Sequence, residues 1–282
     1  MNPKKLLSLA LALTMGLSLT ACGGGKAPSA SPSEAAGSAA PAESAAVSSD
    51  LAYVKDKGVL VVGITEFEPM DYQDKNGSWI GFDADMARAF AGSLGVECQF
   101  QVIDWDNKVL ELDGKNIDVV WNGMTLTDEV TSAMACSNAY CNNAQVVIVP
   151  SARAADYQSV DSVKDLAFAV EAGSAGKAEV EALGASYTEV QDQATALLEV
   201  SSGTADAAVI DSLMAAAMVG AGTSYADLTY TVGLNSEEYG VGFRKGSDLA
   251  AALNEFFQTA YADGSMQKTA ETYGVQAALI EQ

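Results

Sequence analysis

A chain of 282 residues with 37 acidic and 15 basic side chains carries a formal charge of −22 and repels phosphate backbones and anionic lipid headgroups, which argues against nucleic acid and bare membrane surfaces as partners. It contains no histidine, the commonest general base and zinc ligand, so no metal or cofactor is expected and hydrolase chemistry is disfavoured. Nearly half of the residues are hydrophobic, enough to build the cores of two lobes of ordinary size.

The chain begins with Lys4 and Lys5 and an apolar run over 6–19 that is too short to span a bilayer, so 1–21 reads as a cleaved export signal. Its end, Leu19-Thr20-Ala21-Cys22 followed by three glycines, resembles a bacterial lipoprotein signal. That resemblance implies a lipid on Cys22 as the sole membrane attachment, with the chain extracytoplasmic at the bacterial cell membrane. Residues 22–50 are dominated by Gly, Ala, Ser, Pro and Glu, a composition unable to form a core, and are expected to be a flexible tether. Three cysteines follow: Cys98, Cys136 and Cys141. Cys136 and Cys141 are near enough in sequence to pair across a turn; three small buried thiols are the alternative.

From residue 51 strands and helices alternate. Val59-Leu60-Val61-Val62-Gly63-Ile64 has the length and unbroken apolarity of a strand buried on both faces. Asp83 is the expected N-cap of a helix bearing Met86, Phe90 and Leu94 on one side, with Gly95 as its stop. Strands are predicted at 98–103, 117–121 and 145–149, with helices at 107–112 and 128–134 between them, and Trp121 reads as core. A second series follows: strand 168–170, helices 175–183 and 194–200, strand 207–210, helix 213–219, strand 239–243, and helices 249–261 and 266–273. Such alternation predicts α/β layers with mostly parallel sheets.

Several blocks stand in a telling order: Gly58-Val59-Leu60-Val61-Val62-Gly63, Pro69-Met70, Gly81-Phe82-Asp83-Ala84-Asp85, Ile117-Asp118-Val119-Val120 and Asn122-Gly123-Met124-Thr125-Leu126-Thr127. Ala172-Gly173-Ser174, Gly203-Thr204-Ala205-Asp206-Ala207, Asp211 and Tyr239-Gly240-Val241-Gly242-Phe243 come later. Together they make the chain from about Val59 to Gly274 resemble the amino-acid type (family 3) of bacterial extracellular solute-binding proteins. The resemblance implies a two-lobed, periplasmic-binding-protein-like type II fold. Lobe one would be 51–142 plus 239–282 and lobe two 143–238, with hinge crossings near 141–145 and 236–239 and a ligand cleft between the lobes. It also implies a monomeric, non-enzymatic capture subunit that closes on an amino acid or amine and delivers it to an ABC transporter permease. A sensor serving a membrane signalling partner, or a dehydratase-like enzyme on the same scaffold, are the alternative readings.

The same resemblance assigns the site. Phe67 and Trp105 would stack on the ligand. Asn122, Gly123 and Thr125 would bind its amino and carboxylate groups, Gly123 by letting the ligand approach the backbone. Thr127 would only cap the following helix. Asp211 would accept hydrogen bonds from the α-ammonium, and Ser174 would close onto the ligand from the loop where a helix start favours anions. The departure is at position 130, where the family's carboxylate-gripping arginine is Val130, and no basic residue lies between Lys115 and Arg153. Glu66 and Glu68 flank Phe67 and Glu171 precedes the 172–174 loop, so with Asp211 four carboxylates are expected to face or rim the cleft and to favour a cationic amino acid or another amine.

Overall fold

The computed structural model describes residues 49–282. The expected signal, the lipidation at Cys22 and nearly all of the tether lie outside the described residues. Ser49 and Asp50, placed in the tether by composition, belong to the fold. The Ser49 hydroxyl caps the helix Asp50–Lys57, and the Asp50 carboxylate is buried 2.9 Å from the Arg244 guanidinium.

The chain first lays down β1 (Val59–Ile64), β2 (Tyr72–Gln73), β3 (Trp79–Ile80), β4 (Glu97–Val102), β5 (Val119–Thr125), β6 (Ala135–Cys136) and β7 (Cys141–Asn143). Past Ala144 it continues into β8 (Gln145–Pro150), β9 (Ala167–Glu171), β10 (Ser186–Val190), β11 (Ala207–Asp211) and β12 (Leu228–Gly233), then passes through residues 234–236 to β13 (Glu237–Phe243). Among the described residues these strands form two main sheets: β4-β1-β5-β13-β6 with β7 also on β13, and β10-β9-β11-β8-β12. The chain therefore passes between the sheets twice, at Ala144 and at 234–236.

The sheets are mixed rather than mostly parallel. β4, β1 and β5 run parallel, as do β10, β9 and β11. β13 is antiparallel to β5 and β8 is antiparallel to β11, because these two strands enter from the other sheet and not through a helical crossover. Both faces of each sheet are covered. On β8, Val146 and Ile148 pack into one core and Val147 and Val149 into another, the alternation expected of a strand. Trp121 is fully buried, with its ring 5.6 Å from that of Phe257 and 6.3 Å from that of Phe90.

Three local expectations are corrected. The helix is Phe82–Leu94, and Asp83 is inside its first turn instead of capping it. A fully buried carboxylate needs donors, and Asp83 receives the Gly123 N–H and the Tyr140 O–H, both at 2.7 Å. Cys136 and Cys141 are free thiols. Cys136 is opposite Gly242 and Cys141 opposite Tyr239, so they sit three residues apart along β13, roughly 10 Å, beyond the span of a disulfide. The edge strands β10 and β12 have no counterpart among the elements predicted from the sequence.

Candidate functional site

Residues at or just beyond the C-terminal ends of β1, β4 and β5 face residues at the ends of β9 and β11, the crevice where open α/β sheets bind ligands. Between them is a cavity of about 440 Å³, within the roughly 300–1,000 Å³ common for small-molecule pockets. Phe67, Trp105, Asn122, Thr125 and Val130 line it from the first sheet's lobe, and Glu171, Ser174 and Asp211 from the second.

The Phe67 ring stands edge-on to Tyr239, at 6.3 Å and 82°. Trp105 opens the 3₁₀ turn Trp105–Asn107 and packs with Val130 and Met134. Val130 thus makes an aliphatic wall at the position where the family resemblance implies a guanidinium. Asn122 accepts the Thr65 N–H through Oδ1, while its buried Nδ2 has no partner among the described residues. The Thr125 hydroxyl donates to Glu237 Oε1 at 2.9 Å, so its proton is committed. Thr127 caps the helix Asp128–Ala133 by accepting the Val130 N–H. Ser174 caps the helix Ala175–Leu183 by accepting the Lys177 N–H at 3.1 Å.

Three expected site residues are not on the cavity. Glu66 and Glu68 do not line it: along this extended stretch Thr65 and Phe67 project inward and the alternate positions do not. Glu66 instead accepts the Gln73 N–H at 3.2 Å. Gly123 gives its N–H to Asp83, and a Cβ there would overlap the Phe67 ring, so at φ 54° it makes room for Phe67 and not for a ligand.

The acids of the second lobe are deeply placed. Asp211 is 4% exposed and takes amide donors from Asn143, Gln145 (2.7 Å) and Gln193, while its own N–H reaches Gln193 Oε1 at 2.8 Å. Asn143 and Gln145 also donate to Glu237 Oε1, at 2.7 and 2.8 Å, so two carboxylates share one pair of amides. Burial, and then the nearby Glu237 charge, pushes the Asp211 carboxyl up to about 7. Glu171, 3% exposed, leaves Oε1 without a partner among the described residues. Burial, followed by the charges of Asp211 and Asp192, raises it to about 8.

Sequence reasoning missed Thr65, Met124, Gln145 and Gln193, and above all Lys108. Only 9% exposed, Lys108 lines the cavity and donates from Nζ to the carbonyls of Trp105 and Gly173, both at 3.1 Å. Its nitrogen lies 5.0 Å from the centroid of the Trp105 ring, and burial lowers its pKa. The signal was available: Lys108 follows Trp105 by three residues, one turn on. Lys177 also reaches the rim, but its ammonium pairs with Glu189 at 2.7 Å.

The chain is 28% identical over 235 residues to the L-cystine-binding protein TcyJ of Escherichia coli strain K12, covering 78% of this chain and 84% of that protein. It is 28% identical to a probable histidine-binding protein of Neisseria gonorrhoeae over 97% of this chain and 96% of that one. Against the arginine-binding extracellular protein ArtP of Bacillus subtilis the identity is 27%, over 94% and 96%. Among solved structures, an ABC uptake transporter substrate-binding protein from Streptococcus pneumoniae with bound histidine superposes with a TM-score of 0.73 at 29% identity, over 82% of this chain and 98% of that one. A mutant of ArgBP from T. maritima gives 0.74 at 30%, over 80% and 99%. Residues 60–276 match the family model of the bacterial extracellular solute-binding proteins, family 3, and with its two-lobed α/β structure the chain belongs to that family.

Proposed function

We propose that this protein captures an amino acid bearing a cationic group in the cleft between its lobes and hands it to an ABC permease, held at the outer face of the cell membrane by a lipid on Cys22. The observation that carries the reading is the pairing of Glu171 and Asp211, two buried carboxylates, with the aromatic walls Phe67 and Trp105 across one cavity. Burial keeps both acids from ionising easily, so an ammonium is the group they gain most from meeting. Flat ring faces accept the aliphatic stem or the charge of such a ligand. The relatives named for cystine, histidine and arginine support an amino acid as the occupant.

Because the walls come from both lobes, a ligand that touches both favours the closed arrangement over an open one, and rotation about the two crossings is the motion that brings them together. The protein acts as a monomer and as a binder, not an enzyme. Calorimetric titration of the purified full-length protein against the standard amino acids, cystine and a set of polyamines tests the proposal. Binding of arginine, lysine or histidine is expected. Tight binding of glutamate or aspartate alone would overturn it.

A further inference from the structure

We infer that Lys108 grips the acidic group of the ligand, in the role left empty by Val130, so that the cleft selects a zwitterion whose ammonium faces Glu171 and Asp211; this rests on the functional reading above.

No cation lies near position 130 along the chain, but the fold supplies one from another segment. The turn Trp105–Asn107 and the helix Lys108–Asp113 carry the Lys108 side chain onto the cavity wall beside Trp105, which in turn packs against Val130. A lysine ammonium has three protons. Two are used on the neutral carbonyl oxygens of Trp105 and Gly173, and among the described residues Lys108 makes no ion pair. The ammonium therefore sits nine-tenths buried in the cavity with one donor uncommitted, within the field of the Glu171, Asp106 and Glu129 carboxylates but in an ion pair with none of them, so a bound anion would gain a direct charge-assisted contact. The bonded carbonyl of Gly173 belongs to the opposite lobe and lies just before the helix Ala175–Leu183. The positive end of that helix dipole is therefore on the same side as the ammonium.

Lys108 and the start of this helix, with the Asp106 carboxylate beside Gly173, offer the cavity's donors for an anion, and Glu171 and Asp211 its acceptors for a cation, Glu171 lying within the field of Lys108. A bare diamine would satisfy the second and leave the first unpaired; an amino acid satisfies both. Selectivity against the amine then follows from the buried charge it strands.

Matched pairs that differ only by the carboxylate give the test: L-arginine with agmatine, L-lysine with cadaverine, and L-histidine with histamine, each titrated calorimetrically into the full-length protein. The unmodified protein is expected to prefer the amino acid of the pair it binds. Lys108→Met should weaken that amino acid about tenfold or more while leaving the amine within about threefold, and Lys108→Arg should retain the preference. The selectivity ratio is insensitive to a merely structural role, and the unmodified protein's own ratio decides the matter even if Lys108→Met does not fold. An amine bound as tightly as its parent amino acid, or a Lys108→Met protein that binds the amino acid unchanged or loses both members equally, overturns this inference alone. If no amino acid binds the unmodified protein, the functional reading falls and the inference falls with it.

Discussion

Replacing Asp211 with asparagine should move stability and affinity in opposite directions. The folded protein raises this carboxyl from 3.8 to about 7, mainly through burial and then through the charge of Glu237. Between roughly pH 4 and pH 7 the native state therefore holds a proton that the unfolded chain has released, and stability falls as pH rises through that window. At about 1.4 kcal/mol per pKa unit, the penalty on the unliganded protein above pH 7 is on the order of 4 kcal/mol. The substituted amide carries no charge to desolvate. It must, however, turn one NH₂ toward the donors of Asn143, Gln145 or Gln193, a mismatch costing about 1–3 kcal/mol. The expected net effect of Asp211→Asn is about 1–3 kcal/mol more stability at pH 8, reversing to about 1–3 kcal/mol less near pH 4, where the ionisation penalty is gone and the mismatch remains. The same change removes the proposed partner of the ligand's ammonium and should cost at least ~2 kcal/mol of affinity, roughly thirtyfold. Urea denaturation without ligand at several pH values, with calorimetry on the amino acid found by the panel, reads both. Parallel pH profiles for the two proteins would show that Asp211 is not the titrating group. Stability and affinity falling together would make it a structural residue.

Three further outcomes follow from the geometry. Since Glu171 and Asp211 are raised to about 8 and about 7 and an ammonium favours their charged forms, ligand binding should release protons and tighten between pH 6 and pH 8 by up to about tenfold per proton per pH unit; calorimetry in buffers of different ionisation heat measures this, and zero proton release would contradict it. Gly123→Ala should displace Phe67, lowering stability by about 1–3 kcal/mol and weakening binding, as read by thermal melting and titration. Asp118→Ala removes the partner of Lys57, the second carboxylate near Arg244 (3.5 Å, Asp50 remaining at 2.9 Å) and the acceptor for the Val61 N–H. That loss inside lobe one should cost about 1–3 kcal/mol in chemical denaturation while leaving the affinity of the folded protein unchanged.

What could be read from the sequence follows from burial. Strands covered on both faces, such as β1, β8 and β11, are unbroken apolar runs, and Gly95 and Gly203 end their helices in the left-handed conformation that makes glycine a recognisable stop. β10 and β12 are half-exposed edge strands with polar residues on their open faces, so their pattern resembles that of a loop. In the site, residues attached to strand ends were legible, whereas contacts between distant segments were not. Glu66 neighbours Phe67 in sequence but not in the cavity, since backbone alternation sends adjacent side chains to opposite sides. Nothing in the sequence neighbours of Gly123 reveals that Asp83, forty residues earlier, takes its N–H. Lys108 is far from position 130 along the chain, and only the fold brings it from a different helix to meet Gly173, sixty-five residues on.

The same acid that faces the cavity also touches both passages between the sheets. Asn143 and Gln145 flank the first, at Ala144, and both donate to Asp211 and to Glu237. Glu237 opens β13 just after the second, where Asn235 donates to its other oxygen at 2.9 Å. A change in the charge of Asp211 therefore alters the balance of hydrogen bonds in the two segments about which the lobes would turn. Without a cation, Asp211 and Glu237 compete for the same two amides, and burial holds Asp211 toward its neutral form. An ammonium at Asp211, as proposed, would offset the repulsion between the two carboxylates and favour the charged form, whose bonds from the amides on the first passage are stronger. On the proposed reading, charge recognition and lobe closure would draw on one set of side chains, and a ligand lacking the ammonium would fill the cavity without tightening the two passages.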